Sequence, residues 1–341
     1  MAVYTDIDAD TLAQFAAHYP LAEIRDLKGI TAGVQNSNFL LTTAEAKYIL
    51  TVYESSANGV AAEDLPFFLG LMQHLSAKGL SCPVPLTRHD AGLISTVKGR
   101  PAALVSFLEG RSVKTPQPEH CRALGAAMAR MHVASDGFDL RRENNHGRAN
   151  WQALFERCHD RADEVSPDLT KAMEQELARL ATAWPDDLPA GIIHADLFPD
   201  NVFFMQMDVS GLIDFYFACN DFYAYDLAIA LNAWCFEADA TFNVTKARAM
   251  VSGSQNVRPL SQAEIDAMPI LAAGAAMRFL TTRLFDWLNQ INGAQVEPKN
   301  PNDFLRRLRF HRSATRPADY GLTLCILQLT QTERAQPIRD T

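Results

Sequence analysis

The sequence predicts an α+β fold of two lobes, a small N-terminal lobe built on an antiparallel sheet and a larger, mainly helical lobe behind it. Two observations carry that expectation. Through about the first hundred residues, short runs alternate apolar and polar side chains; after Glu109-Gly110 the apolar spacing becomes that of long helices. A third observation places the chemistry. The stretches His194-Ala195-Asp196-Leu197-Phe198-Pro199-Asp200-Asn201 and Gly211-Leu212-Ile213-Asp214-Phe215 read as loops between short strands inside the second lobe. The expected divisions are residues 1–106, 107–322 and a tail, 323–341, whose role the sequence does not reveal.

Taken in order, the first lobe opens with a helix over Asp10–His18, with Asp10 or Thr11 as its cap. Strands follow at Asp26–Ile30 and Ser37–Thr42, joined by Thr31-Ala32-Gly33-Val34-Gln35-Asn36. In a third strand, Lys47–Glu54, Ile49, Thr51 and Tyr53 share one face and Tyr48, Leu50 and Val52 the other. Asp64-Leu65-Pro66 starts an amphipathic helix to Ala77, since proline is tolerated in a first turn. Two more strands are expected over Gly92–Val97 and Ala102–Phe107. The second lobe then reads as helices over Pro118–Ser135, Trp151–Ala162, Leu169–Trp184, Tyr225–Phe236, Ser261–Asn289 and Pro301–Phe310, the fifth open to a break near Pro269. A turn at Val209-Ser210-Gly211 returns the strand Leu212-Ile213 and sets Asp214 opposite Asp196 and Asn201.

Composition narrows the function. With 341 residues, 48% hydrophobic and 21% charged, the chain can bury a sizeable core across two domains. A net charge of -9 disfavours nucleic acid or an anionic membrane as partner. The N-terminus has no basic region followed by an apolar one, and the longest apolar stretch, around Ile270–Met277, is too short to span a bilayer. Cys82, Cys121, Cys158, Cys219, Cys235 and Cys325 form no C-x-x-C pair, as expected of reduced thiols in a cytoplasmic protein.

The motif suits transfer of a phosphoryl group from ATP to a hydroxyl. Such transfer depends on positioning and charge neutralisation. Asp196 can orient and deprotonate an acceptor, and Asn201 and Asp214 offer the hard oxygens that magnesium takes. Any one of these residues alone would read as an ordinary turn or strand end; the ordered set H-x-D-x4-N followed by I-D-F does not. A Gly/Asn-rich hairpin around Gly29, Gly33, Asn36, Ser37 and Asn38 lets backbone amides approach the phosphates, although a plain β-turn has the same composition. Ser106, Phe107 and Leu108 form the expected hinge against adenine.

Gly33-Val34-Gln35-Asn36-Ser37-Asn38-Phe39, Asp64-Leu65-Pro66-Phe67-Phe68-Leu69-Gly70, His194 to Asn201 and Gly211 to Asp221 resemble the aminoglycoside phosphotransferase and choline kinase superfamily, which has a protein-kinase-like fold. Within it these segments, with Asn232-Ala233-Trp234-Cys235-Phe236 and Arg309-Phe310-His311, are similar to the homoserine kinases of bacterial threonine biosynthesis. The resemblance reaches about Leu322. It implies a catalytic base at Asp196, magnesium ligands at Asn201 and Asp214, and a structural Asp226 that accepts backbone hydrogen bonds from the catalytic loop.

Ile49 would form the ceiling over adenine. Superfamily members usually carry a phosphate-contacting lysine where this chain has Thr51, so its charge would come from Lys28 or from magnesium alone. If the acceptor is L-homoserine, its carboxylate wants a guanidinium and its ammonium an acid; Arg278, Arg283 and Asp286 are the candidates, although Arg283 and Asp286 also suit a helix-surface ion pair. Tyr216, Asn220 and Trp234 are expected to line the pocket, and His194 to support the loop. Competing readings are another alcohol acceptor (choline, methylthioribose or an aminoglycoside) and an inactive binding module. Oligomeric state is not legible.

Overall fold

A computed structural model describes residues 4–30, 36–54, 60–290 and 298–322; Gly33, Cys325 and the tail 323–341 lie outside them. Helix α1 (Ala9–Ala16) is capped by Asp8, which accepts the Thr11 N–H at 2.8 Å, so the cap precedes the expected Asp10 or Thr11. Strands β1 (Ile24–Gly29), β2 (Ser37–Thr43), β3 (Lys47–Val52), β4 (Ser95–Val97) and β5 (Arg100–Ser106) make one antiparallel sheet in the order β1-β2-β3-β5-β4. Helix α2 (Leu65–Ala77) joins β3 to β4.

The two faces of β3 divide as the alternation requires. Leu50 and Val52 join Phe39, Leu41, Leu104, Phe15 and Tyr19 in a small core under α1. Ile49 and Tyr53 turn the other way, onto the main core, which α2 also enters through Leu65, Phe68 and Leu71. Register confirms the sharing of a face. Asn38 stands opposite Thr51, and the Thr51 hydroxyl donates to Asn38 Oδ1 at 2.8 Å.

The larger lobe contains α3 (Pro118–Ala134), α4 (Arg148–Glu156), α5 (Leu169–Ala183), the pair β6 (Ala190–Ile193) and β9 (Cys219–Phe222), the hairpin β7 (Val202–Met205) and β8 (Asp208–Leu212), then α6 (Tyr223–Trp234), α7 (Val244–Gln255), α8 (Gln262–Leu288) and α9 (Asn302–Ser313). Three expectations change. The hairpin turns at Gln206-Met207, with Gln206 at φ 57°, rather than at residues 209–211, which are strand. Helix α8 runs through Pro269 unbroken, because its middle is buried and packing against α6 and α9 outweighs one lost hydrogen bond. Helix α4 stops at Glu156, and a 3₁₀ turn, His159–Glu164, replaces its second half.

Helix α7 was not anticipated. Asn243 caps it, accepting from Thr245 N and Lys246 N at 3.0 Å each. Its partner is α3, and the contact is made by two glycines. A Cβ at Gly125 would stand 2.0 Å from the Met250 carbonyl oxygen, and one at Gly253 2.0 Å from that of Arg122. An apolar-periodicity reading has no term for helices that meet backbone to backbone.

A buried polar junction ties α6, α8 and α9. Asn232 donates through Nδ2 to the carbonyls of Ala228 and Ala272, so its Oδ1 accepts from His311 Nε2 at 3.0 Å. His311 Nδ1 then accepts from the Tyr320 hydroxyl at 2.8 Å. Among the described residues no helix is long and apolar enough to cross a membrane.

Burial, with the nearby charges of Arg307 and Arg179, lowers His311 to about 3. Its folded value therefore lies below the unfolded one, and as pH falls below about 6.5 the unfolded chain takes up a proton that the folded chain refuses. Stability should fall on acidification by up to about 1.4 kcal/mol per pH unit from this group. Urea denaturation at pH 7 and pH 5 should show a smaller acid loss in His311→Asn than in the wild type.

Candidate active site

The site is built on Asp226, in the first turn of α6 and fully buried. Its carboxylate accepts the His194 N–H at 3.0 Å, the Ala195 N–H at 2.8 Å and His132 Nε2 at 2.8 Å. Burial alone would raise its pKa; the hydrogen bond and charge of His132, with the contacts from His194, hold the carboxyl below its ordinary value instead. These bonds fasten the loop after β6, where Ala195 adopts the left-handed φ of 63°. Such a conformation costs energy for alanine and persists only where its surroundings enforce it.

Two further donors hold the same loop. Arg278 Nη1 donates to the Ala195 carbonyl at 2.7 Å, and Trp234 Nε1 to the Leu197 carbonyl at 2.7 Å. His194 Nε2 donates to the Ile213 carbonyl at 2.9 Å, and burial keeps the imidazole neutral against the pull of Asp226. Its ring lies 4.7 Å from that of Phe215. The histidine thus links the Asp196 loop to the segment that ends in Asp214.

Asn201 Nδ2 donates to the Asp196 backbone carbonyl at 2.8 Å and to its Oδ2 at 3.0 Å. Both partners only accept, so the amide nitrogen faces Asp196 and the amide oxygen is left for another ligand. The Ile213 N–H donates to the Asn201 carbonyl at 3.0 Å, bringing Asp214 alongside at φ 64°. Loss of hydration pushes Asp196 up to about 7, with Arg278 and Lys299 opposing the shift and Asp214 adding to it. Asp214 keeps an open face, but the protein crowded round its carboxyl and the charge of Asp200 push it up to about 6. The two acids and the amide therefore form one oxygen-rich group.

The sheet forms the opposite wall. Cross-strand pairing places Lys28, Leu40 and Ile49 in one row of the face that also carries Thr51, so Lys28 is exposed on the cleft side. Ser37 points the other way. Its hydroxyl donates to Glu54 at 2.6 Å and accepts from Tyr4 N at 2.7 Å, so its side chain supports the strand instead of approaching a nucleotide. Asn36 Oδ1 accepts the Glu54 N–H at 3.3 Å. In the hinge, the Ser106 and Phe107 N–H groups are bonded to the Val84 and Lys47 carbonyls, at 2.9 and 3.2 Å. Leu108 covers Gly211, where a Cβ would meet its Cδ1 at 2.6 Å.

The expected acceptor residues are dispersed. Arg278 is only 2% exposed and supports the loop. Tyr216 reaches up to the sheet, its hydroxyl 3.0 Å from that of Tyr53. Asn220 Oδ1 accepts the Arg142 N–H, and Trp234 is buried under the loop. Arg283 pairs with Asp303 at 3.4 Å, and no bond joins it to Asp286, which is exposed near Cys158. The ion pair expected along one helix is instead made between α8 and α9. His132, Arg142, Lys299 and Asp303 escaped the sequence reading. Their partners are 94, 78 and 20 residues away for the first, second and last, and no local spacing signals them.

The profile of the phosphotransferase enzyme family matches residues 26–260, which include Asp196, Asn201, Asp214 and Asp226. The chain belongs to the phosphotransferase enzyme family. Its relatives include the homoserine kinase of Allorhizobium ampelinum, 58% identical over 94% of this chain and 99% of that protein. The homoserine kinase of Rhizobium johnstonii is 56% identical over 95% of this chain and all of its own length. Among solved structures, an amicoumacin kinase in complex with AMP-PNP and Ca2+ superposes with a TM-score of 0.66, at 16% identity over 95% of this chain and 97% of that one. That likeness establishes the kinase-like fold of this phosphotransferase.

Asp226→Asn leaves one oxygen for three donors and turns an N–H toward another. The variant should lose about 3 kcal/mol of stability, the scale of a broken buried charged network. Turnover per folded molecule should also fall by about tenfold or more, as for groups that orient a catalytic loop. Urea denaturation and active-site-normalised assays would measure the two effects, and full turnover in the folded variant would show that the loop holds itself.

Proposed function

We propose that this phosphotransferase moves the γ-phosphoryl group of ATP to the side-chain hydroxyl of L-homoserine, forming O-phospho-L-homoserine for threonine biosynthesis in the cytoplasm. The observation that carries the reading is near-full-length similarity to homoserine kinases, at 58% and 56% identity. The geometry supports it independently. Asp196 accepts the hydroxyl proton as the oxygen attacks phosphorus in line with the leaving ADP oxygen.

The donor set suits magnesium: an amide oxygen and a carboxylate, with no soft ligand. Phosphates and water would complete the shell of an ion held by so few protein oxygens. Held by Asn201 Oδ1 and Asp214, the ion supplies neutralisation of triphosphate charge. Lys28, on the cleft face of β1, is the basic side chain proposed to assist at the nucleotide in place of a lysine at Thr51.

A chain of net charge -9 nonetheless gathers cations near its base. Arg278 and Lys299 act on Asp196, and Lys299 stands 5.6 Å over the ring of Phe198. Arg283, over Phe304 at 4.5 Å, feels Asp303, Asp196 and Asp200. This surround favours an acceptor with a carboxylate and opposes cationic choline or an aminoglycoside. Arg283 and Asp303 are proposed to receive the carboxylate and ammonium of the amino acid. A binding module without catalysis has no need of Asp196, Asn201 and Asp214 together.

ADP release with magnesium and ATP, measured across L-homoserine, L-serine, L-threonine, choline, methylthioribose and an aminoglycoside, tests the assignment. A response confined to L-homoserine, with the product confirmed by mass spectrometry, is expected; preference for another alcohol would overturn the substrate. Asp196→Asn should cut turnover by roughly a thousandfold or more, the scale of a lost general base with its positioning, and keep nucleotide affinity.

A further inference from the structure

One lobe-spanning contact in this chain is made by a residue outside the motifs. Thr51 gives its hydroxyl to Asn38 within the sheet, and Lys47, the charged residue of β3, stands 5.6 Å over the ring of Phe107. Asp64, immediately ahead of α2, is instead met by Arg142, which lies between α3 and α4. Arg142 Nε donates to Asp64 Oδ2 at 2.7 Å, with both side chains largely withdrawn from solvent. The guanidinium lies 5.0 Å over the ring of Phe68 in α2.

The same residue grips the segment that follows Asp214. Its Nη1 donates to the Ala218 carbonyl at 3.3 Å, its N–H to Asn220 Oδ1 at 3.0 Å, and its carbonyl accepts the Asn220 N–H at 2.8 Å. Between these bonds and Asp214 stands Tyr216, edge-on to Phe68 at 5.7 Å and bonded to Tyr53 of the sheet lobe. The segment from Asp214 to Asn220 is thus fastened to α2 through one guanidinium and one aromatic contact. Asp214, at φ 64°, needs such fastening. An exposed ion pair would contribute little, but this one is half-buried, and the planar fork serves an acid, a carbonyl and a ring at once.

We propose that Arg142 is a positioning residue that couples α2 to the Asp214–Asn220 segment through Asp64 and thereby sets Asp214 for metal–nucleotide binding. This inference does not depend on which alcohol is accepted. Lysine cannot replace the fork, because an ammonium offers no planar pair of donors.

Calorimetry of ADP binding with and without magnesium tests it on Arg142→Met, Arg142→Lys and Asp64→Asn. Magnesium-dependent affinity should fall about tenfold in all three, the usual cost of losing an outer-shell contact, while affinity for metal-free ADP stays within about twofold. The Asp64→Asn/Arg142→Met double variant should be no worse than the poorer single one, since both changes remove one coupling. If Arg142→Met does not fold, Asp64→Asn, which keeps the arginine and its other contacts, carries the same expectation. Unchanged magnesium dependence in a folded variant, equal loss of metal-free binding, or additive losses in the double variant would overturn the proposal.

Discussion

One buried carboxylate organises the catalytic lobe. Asp226 has no solvent and accepts from two consecutive backbone N–H groups and an imidazole. A charge in that position is costly unless every lone pair is used. The cost is met by bonds that also hold the chain in a left-handed turn at Ala195, immediately ahead of Asp196. Trp234, at the far end of the helix that carries Asp226, holds the loop again through the Leu197 carbonyl. The loop is therefore not merely connected to α6; its shape is imposed by it.

The second constraint is electrostatic. Asn201 and Ile213 tie Asp196 and Asp214 into one group, where lost hydration pushes both carboxyls toward the protonated form, with Asp214 adding to the shift at Asp196 and Asp200 to that at Asp214. Such burial of acids is unfavourable in isolation, and the divalent cation proposed to bind there would offset it. Arg278 of α8, and Lys299 ahead of α9, oppose that shift at Asp196.

Packing supplies the rigidity that the site needs. Helix α6 is buried almost along its whole length, and α8 crosses behind it with Arg278 reaching forward to the loop. At Gly125 and Gly253, α3, which carries His132, and α7 meet so closely that a side chain at either glycine would strike the other helix's backbone. The sheet lobe shares this core through α2 and Tyr53, so the sheet and the helical lobe are parts of one packed body.

The sequence by itself determined the α+β order, the faces of β3, and the grouping of Asp196, Asn201 and Asp214, because alternation within a strand and spacing across a short hairpin are local. Asp226 was legible as the brace by resemblance, but its partner His132 was not, since the bond spans 94 residues. Ser37 is a different case: strand parity sends its side chain to Glu54, which nothing in its Gly/Asn-rich turn foretells. Arg278 and Arg283 lie in one helix and read alike, yet burial makes the first a loop support and leaves the second paired across to Asp303. Those choices belong to the tertiary structure, because pairing between distant elements depends on how helices meet, and no local pattern of residues contains that distance.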